Sequence, residues 1–420
     1  MVIRSPYPDV EIPDASLHDF LFGDFGDRAD APAFVDGSSG ATITFAELDG
    51  MVLRIAAALA ERGVGAGDVV ALFAPNTPYY AAVFHGVLRA NAVVTSVNSL
   101  YTPGELAHQL ADSGAKLLFT ISPFLDRAVA GAAEAGLPSD AVIVLDGAEG
   151  FTSLRDLLAT TAAPPAATVG AGDTAVLPYS SGTTGRAKGV ILTHRNLVAN
   201  LLQIGEMSHV TEQTKILAVL PFFHIYGMTV MMNQGLQRRA TVVTMPRFDL
   251  PEFLRIISEH RIQRIYIAPP LAVALAKHPV VDQYDLSCID VIFSGAAPLD
   301  AELGQAVAKR LGCTVLQGYG MTELSPVSHC MPDDQPMDLN TSGFAIPNIE
   351  SKLVDPESGR EVGVGERGEL WVRGPNVMAG YLNNPEATAI TLAPTASCTP
   401  ATSRRSTPTA SSRSSTGSRS

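Results

Sequence analysis

Across 420 residues the chain carries one tryptophan, four cysteines and only 17% charged residues. The four cysteines, Cys288, Cys313, Cys330 and Cys398, never stand in a Cys-x-x-Cys pair. That spacing excludes a zinc-ribbon or disulfide framework and reads as a set of reduced, intracellular thiols. No uninterrupted apolar run reaches ~18 residues, the length a membrane-spanning helix needs. The first twenty residues lack the apolar stretch of a secretory signal. Basic residues are also scarce, with 29 Lys and Arg against 42 Asp and Glu, a formal charge of −13. Nucleic acid is therefore not an expected partner, because phosphate contacts need clustered Lys and Arg. These absences set the expectation of a cytoplasmic protein that works on small molecules.

What is present is core-forming pattern, with 46% hydrophobic residues. "TFAELDGMVLRIAAALAERGV" has apolar residues at helical spacing and ends at Gly63. Short apolar runs then alternate with helical patterns: "DVVALFAP", "YYAAVFHGVLRAN", "AVVTSV", "PGELAHQLADSG" and "AKLLFT". The alternation resumes at "KILAVLP", with "GMTVMMNQGLQR" read as a helix, and runs through to "TVLQGYG". Strands alternating with helices of this length predict parallel βαβ units. From about Glu350 the pattern changes to "ESKLVD" and "GERGELWVRGP", which reads as β-rich with glycine turns. The expected fold is α/β: two doubly wound α/β subdomains plus a β-rich subdomain at 350–390, the whole unit spanning 1–390.

Four stretches carry chemistry. "LPYSSGTTGRAKGVILTH", Leu177 to His194, places glycines, hydroxyls and one lysine between two strand-like runs. Gly182, Gly185 and Gly189 let backbone N–H groups turn toward an anion. Ser180, Ser181, Thr183 and Thr184 add donors and Lys188 a positive charge, so the stretch reads as a phosphate cradle on a hairpin. It does not match the Walker A pattern. In "LPFFHIYGMT", His224 sits in an apolar run, where a lone histidine more often packs into a core. "LQGYGMTELSP" ends a strand with Gly318-Tyr319-Gly320 before Thr322 and Glu323. Small residues at the carboxyl end of a parallel strand are where ligands bind in open α/β sheets. Tyr319 can stack on a base, and Glu323 is a candidate Mg²⁺ ligand beside phosphates. "SGAAPLD" is a further strand end with small residues and Pro298.

Together with "GELWVRGPNVMAGYLNNPEAT", these stretches resemble the adenylate-forming (AMP-binding) superfamily, in its order and at its spacings, over roughly residues 15–389. The forms "PFFHIYG", "SGAAPL" and "QGYGMTE" look closest to 4-coumarate–CoA ligase-like acyl-CoA synthetases. The resemblance implies the large N-terminal domain of such enzymes and an ATP-dependent acid–CoA ligase that adenylates an aryl-propenoic or fatty acid. It implies that Ser180, Ser181, Gly182, Thr183, Thr184, Gly185, Lys188 and Gly189 wrap the phosphates of ATP. Ala297, Pro298, Gln317, Gly318 and Tyr319 would hold the adenine, Thr322 the α-phosphate and Glu323 Mg²⁺. His224, Lys188, Thr322 and Glu323 are the implied catalytic set. The acyl pocket would comprise His224, Tyr226, Val230, Phe293, Ala296, Gly318, Pro326 and Val327. ATP, Mg²⁺ and CoA are the implied cofactor and substrates.

One departure concerns the last thirty residues. From Thr391 on, 16 of 30 residues are Ser or Thr, four are Arg and none is acidic or aromatic. The family's H-T-G-D run, its D-R hinge and the lysine of its small C-terminal domain are not met, and the last lysine is Lys352. GC-rich codons for Pro394 to Ser403, read one frame over, permit D-G-F-L-H-T-G-D-I. The expectation is therefore an out-of-frame, disordered segment at 391–420, with adenylation impaired. The alternatives are a nucleotide- and acid-binding remnant, or a luciferase-like or peptide-synthetase adenylating module.

Overall fold

The computed structural model describes residues 2–180, 187–393 and 397–398. Among them two sheets of nine strands and one of five build the fold. The first has a parallel centre in which Val69–Leu72 lies between Val93–Ser96 and Ala115–Thr120. The second has a parallel run from Thr314–Gly320 through Val291–Ser294, Arg264–Ile267 and Lys215–Ala218 to Thr241–Thr244. Pro32–Asp36 joins that run from the far end of the sequence. The third sheet pairs Glu350–Val354 with Glu369–Arg373 antiparallel, and the expected β-rich change of pattern is met there.

The central strands are buried on both faces because helices cover both faces, as parallel sheets require. Every residue of Val69–Leu72, Val93–Ser96 and Arg264–Ile267 is buried. The helices begin where the sequence places caps. The Thr44 hydroxyl accepts from the Glu47 N–H at 3.2 Å, and Glu47 Oε2 accepts from the Thr44 N–H at 2.8 Å. Such a reciprocal cap stabilises a helix start by ~1 kcal/mol. Thr102 and Glu105 repeat the device ahead of Pro103–Ser113, which ends at Gly114 with φ 65°. Gly63 likewise has φ 74° just past Phe45–Glu61.

One helix differs from its sequence pattern. Gly227–Asn233 winds as a π-helix before Gln234–Gln237 continues as α. The Gln234 N–H reaches the carbonyl of Thr229, five residues back. All seven residues of the wide turn are buried, so no polar face marked the change of period. Gly227 is required at its start, since a Cβ there would lie 2.2 Å from the Pro221 carbonyl oxygen.

Candidate active site

The phosphate-cradle stretch forms the expected hairpin. Tyr179–Ser180 pairs antiparallel with Lys188–Thr193, Tyr179 opposite Gly189 and Ser180 opposite Lys188. Ser181, Gly182, Thr183, Thr184 and Gly185 lie outside the described residues. Gly189 packs against the Tyr179 ring, where a Cβ would stand 3.1 Å from the ring edge. The Tyr179 hydroxyl donates to Asp112 Oδ2 at 2.6 Å, which fixes the ring at the hairpin base.

The hairpin and the Glu323 turn come from different sheets and meet. Ser180 Oγ donates to Glu323 Oε1 at 3.2 Å, and the Tyr381 hydroxyl donates to the same oxygen at 2.7 Å. Lys188 Nζ lies 5.3 Å from the centre of the Tyr381 ring. Glu323 and Thr322 are both buried in a single helical turn that follows Thr314–Gly320. Buried amides brace this turn. Asn376 Nδ2 donates to the carbonyls of Leu324 and Val327 at 2.7 and 3.0 Å, and the Met378 N–H donates to the Glu323 carbonyl at 2.8 Å. Asn200 exchanges both hydrogen bonds with the backbone of Val327. Asn196 completes the Thr193 helix cap and also donates to the carbonyls of Pro375 and Val377. Tyr381 and Asn376 stand inside the quoted "GELWVRGPNVMAGYLNNPEAT" motif, yet nothing in the sequence assigned them a partner.

Across the second sheet, most of the residues expected to hold adenine and the acyl group lie at or just past the carboxyl ends of its strands. Ala296, in the left-handed region with φ 67°, Ala297 and Pro298 are exposed after Val291–Ser294. Gln317 is buried and committed to packing: its Oε1 accepts from the Leu299 N–H at 3.1 Å and its Nε2 donates to the Leu339 carbonyl. Its amide therefore shapes the Ala297–Pro298 loop. Gly318 is closely packed, since a Cβ would lie 2.8 Å from the His329 carbonyl oxygen and 2.9 Å from Phe293 Cζ. The Tyr319 ring is half-buried, edge-on to the buried His329 ring at 6.5 Å. The Tyr226 hydroxyl donates to the Phe293 carbonyl at 3.3 Å, and Val230 is buried on the π-helix. Val327 is buried beside Pro326.

His224 does not pack into the core as an isolated histidine in an apolar run usually does. Its side chain is accessible to solvent, while the protein around it lowers its imidazolium pKa by desolvation. Nδ1 accepts from the Tyr226 N–H at 3.3 Å, which leaves Nε2 to carry the proton of the neutral ring. Among the described residues, no three or more His, Cys, Asp or Glu side chains cluster as a metal centre.

The Tyr179–Lys188 hairpin of one sheet and the buried Glu323 turn of the other thus meet through Ser180. The AMP-binding enzyme family matches residues 24–382. The chain belongs to that family. This AMP-binding enzyme is 40% identical over 404 residues to 4-coumarate–CoA ligase 5 of Oryza sativa subsp. japonica, an alignment covering 93% of this chain and 74% of that one. It is 36% identical over 406 residues to 4-coumarate–CoA ligase of Pinus taeda, with 93% and 74% covered. Among solved structures it is similar to ATP-bound MatB from Rhodopseudomonas palustris. The TM-score is 0.83 at 30% identity, over 92% of this chain and 75% of that one. Among the described residues Cys288, Cys313 and Cys330 are free cysteines, and burial pushes the Cys330 thiol pKa up to about 12. Among the described residues no helix is long and apolar enough to cross a membrane.

Proposed function

We propose that residues 1–390 form an ATP-dependent carboxylic acid–CoA ligase unit that activates an aryl-propenoic or fatty acid. The observation that carries the reading is the Ser180–Glu323 hydrogen bond of 3.2 Å. It brings the hairpin of one sheet against the carboxylate turn of the other, the two segments this reading assigns to the phosphates and to Mg²⁺. In the first half-reaction a carboxylate oxygen of the acid bonds to the α-phosphorus of ATP while the bond to pyrophosphate breaks. The acyl adenylate then gives up AMP as the CoA thiolate bonds to the acyl carbon. Such chemistry depends mainly on positioning and on stabilising phosphoryl charge.

The residues divide that work. Lys188 and the hairpin N–H groups meet the phosphates, Thr322 the α-phosphate, and Tyr319 supplies a stacking face for the adenine. Neutral His224 offers its Nε2–H to the acid's carboxylate oxygen, which positions the nucleophile without neutralising it. Tyr226, Val230, Phe293, Gly318 and Val327 border a mostly apolar slot for the acyl group. Glu323 fits Mg²⁺, being one buried carboxylate with the hydroxyl oxygens of Ser180 and Tyr381 beside it; Mg²⁺ favours one or two carboxylates plus substrate phosphates. When bound, Mg²⁺ would neutralise polyphosphate charge. The soluble compartment, the cytoplasm, is part of the same reading.

Acid-dependent ATP–pyrophosphate exchange tests the proposal, with 4-coumarate and medium-chain fatty acids offered in parallel. Exchange with one of these acids, lost in Glu323→Gln, is the expected result. Exchange that no carboxylic acid stimulates would sink it.

A further inference from the structure

His224 belongs to the second sheet by sequence, since its loop follows Lys215–Ala218, yet the loop is held from the first sheet. Asn76, four residues beyond Val69–Leu72, is 4% exposed. Its Nδ2 donates to the carbonyl of Ala218 at 2.9 Å and to that of Leu220 at 2.8 Å. Its Oδ1 accepts from the Phe222 N–H at 2.7 Å. One amide thus uses both N–H donors and its oxygen on three backbone groups within five residues. Ser96, the last residue of the neighbouring strand, donates from Oγ to the Phe223 carbonyl at 2.8 Å. From there the loop closes on itself: the His224 N–H donates to the Pro221 carbonyl at 3.2 Å. The same Pro221 carbonyl is the group that admits only glycine at Gly227.

We infer that Asn76, assisted by Ser96, is a positioning residue that sets the His224 imidazole from the opposite sheet. Simple loop stabilisation would not require both strand ends to aim at the four backbone groups that precede His224. The charge state of Asn76 matters too. A carboxylate in its place would keep the bond from Phe222 but press an anionic oxygen against two carbonyl oxygens. Alanine would take the side-chain partner from three backbone groups, two of them in buried contacts, where a lost hydrogen bond is costly. The inference rests on the reading of His224 as the group facing the acid, but it can be tested without activity.

The test uses the full chain labelled with ¹⁵N-histidine, comparing wild type with Asn76→Ala and with the milder Ser96→Ala. The His224 ring ¹⁵N shifts at pH 7.5 report whether Nδ1 still accepts from Tyr226. We expect both variants to move these shifts toward a mixture of tautomers, with Asn76→Ala moving them further. Shifts that stay in place in both folded variants would overturn the inference, and Ser96→Ala alone decides it if Asn76→Ala does not fold. Exchange kinetics give the second readout. Asn76→Ala should lower kcat about tenfold with the KM for ATP within twofold, and by less than twofold when His224 is already alanine. Equal losses in both backgrounds would mean a merely structural asparagine. A His224→Ala variant with unchanged exchange would instead undo the functional reading, and the ring shifts would still decide Asn76.

Discussion

The Tyr381 hydroxyl donates a 2.7 Å hydrogen bond to Glu323 Oε1 across 58 residues of sequence. The oxygen it reaches is the one Ser180 also uses, so three segments share a single carboxylate oxygen. Hydrogen bonds to charged groups contribute ~1.5–3 kcal/mol. Tyr381→Phe should therefore lower unfolding stability by about 2 kcal/mol. With Glu323 less firmly aimed, exchange should fall at least tenfold. Urea denaturation and pyrophosphate exchange check the two effects separately, and a fully active variant would show that the turn is held without the phenol.

For His224, desolvation keeps the imidazole neutral to lower pH than a free histidine. The half-reaction should accordingly hold its rate as pH falls through about 6.5 and decline only below that. His224→Ala should reduce exchange by ~10²-fold, within the range ascribed to positioned proton-bearing groups. A pH–rate profile of kcat/KM in wild type and variant measures both, and identical profiles would exclude the residue.

The buried histidines make stability depend on pH. Burial lowers His18, His194 and His329 to about 4 and His85 to about 3. Unfolded, each titrates near 6.5. The unfolded chain thus takes up protons first, so this stability is complete above about 6.5 and is lost as pH falls toward the folded values. Each such histidine contributes a slope of up to ~1.4 kcal/mol per pH unit in that window. Calorimetry from pH 7.5 to 4.5 should show Tm falling steeply, with a shallower fall in His329→Asn. A flat Tm would contradict the assignment.

Gly318→Ala probes the crowded floor of the slot. The new methyl would lie 2.8 Å from a backbone oxygen and 2.9 Å from Phe293 Cζ, and the backbone oxygen cannot swing aside. Overpacking of this kind costs ~1–3 kcal/mol. The displaced Phe293 ring should raise the KM for the acid more than that for ATP, which steady-state exchange at varied acid resolves.

Behind the slot, Arg264 pairs with Asp333 through bonds of 2.5 and 3.1 Å, and its Nε donates to the Tyr266 hydroxyl at 2.7 Å. Tyr266 in turn packs against the rings of Tyr226 and Phe293. Removing one partner of a buried pair costs ~3–5 kcal/mol, so Arg264→Met should lose that much stability. The double change Arg264→Met, Asp333→Leu should regain part of it, and a denaturation cycle over the four proteins measures the difference.

The α/β architecture was legible because local rules agree along the chain. Capping residues stand before the helices, apolar runs mark the strands, and glycine-rich turns fall at strand ends. The hairpin at Tyr179 and Lys188 was readable from two apolar runs flanking donor residues. What was not readable depends on distant partners. Asn196 meets carbonyls 179 and 181 residues away, and Asn200 meets one 127 residues away. A single amide in an apolar stretch carries no mark of such a partner. The π-turn was hidden for a different reason, since a helix buried on all sides has no polar stripe from which a period can be taken.

That wide turn at Gly227–Asn233 has a consequence for how a substrate slot can be altered. It holds one residue more per turn than an α-helix would, so a single-residue deletion there could restore regular winding without breaking the helix. The residues beyond the deletion would keep their faces, because the i→i+5 turn already absorbs the extra residue, and only the segment within the turn, around Val230, would be recut. Val230 and the π-turn thus form a self-contained segment that a change of length recuts while every residue outside it stays in register.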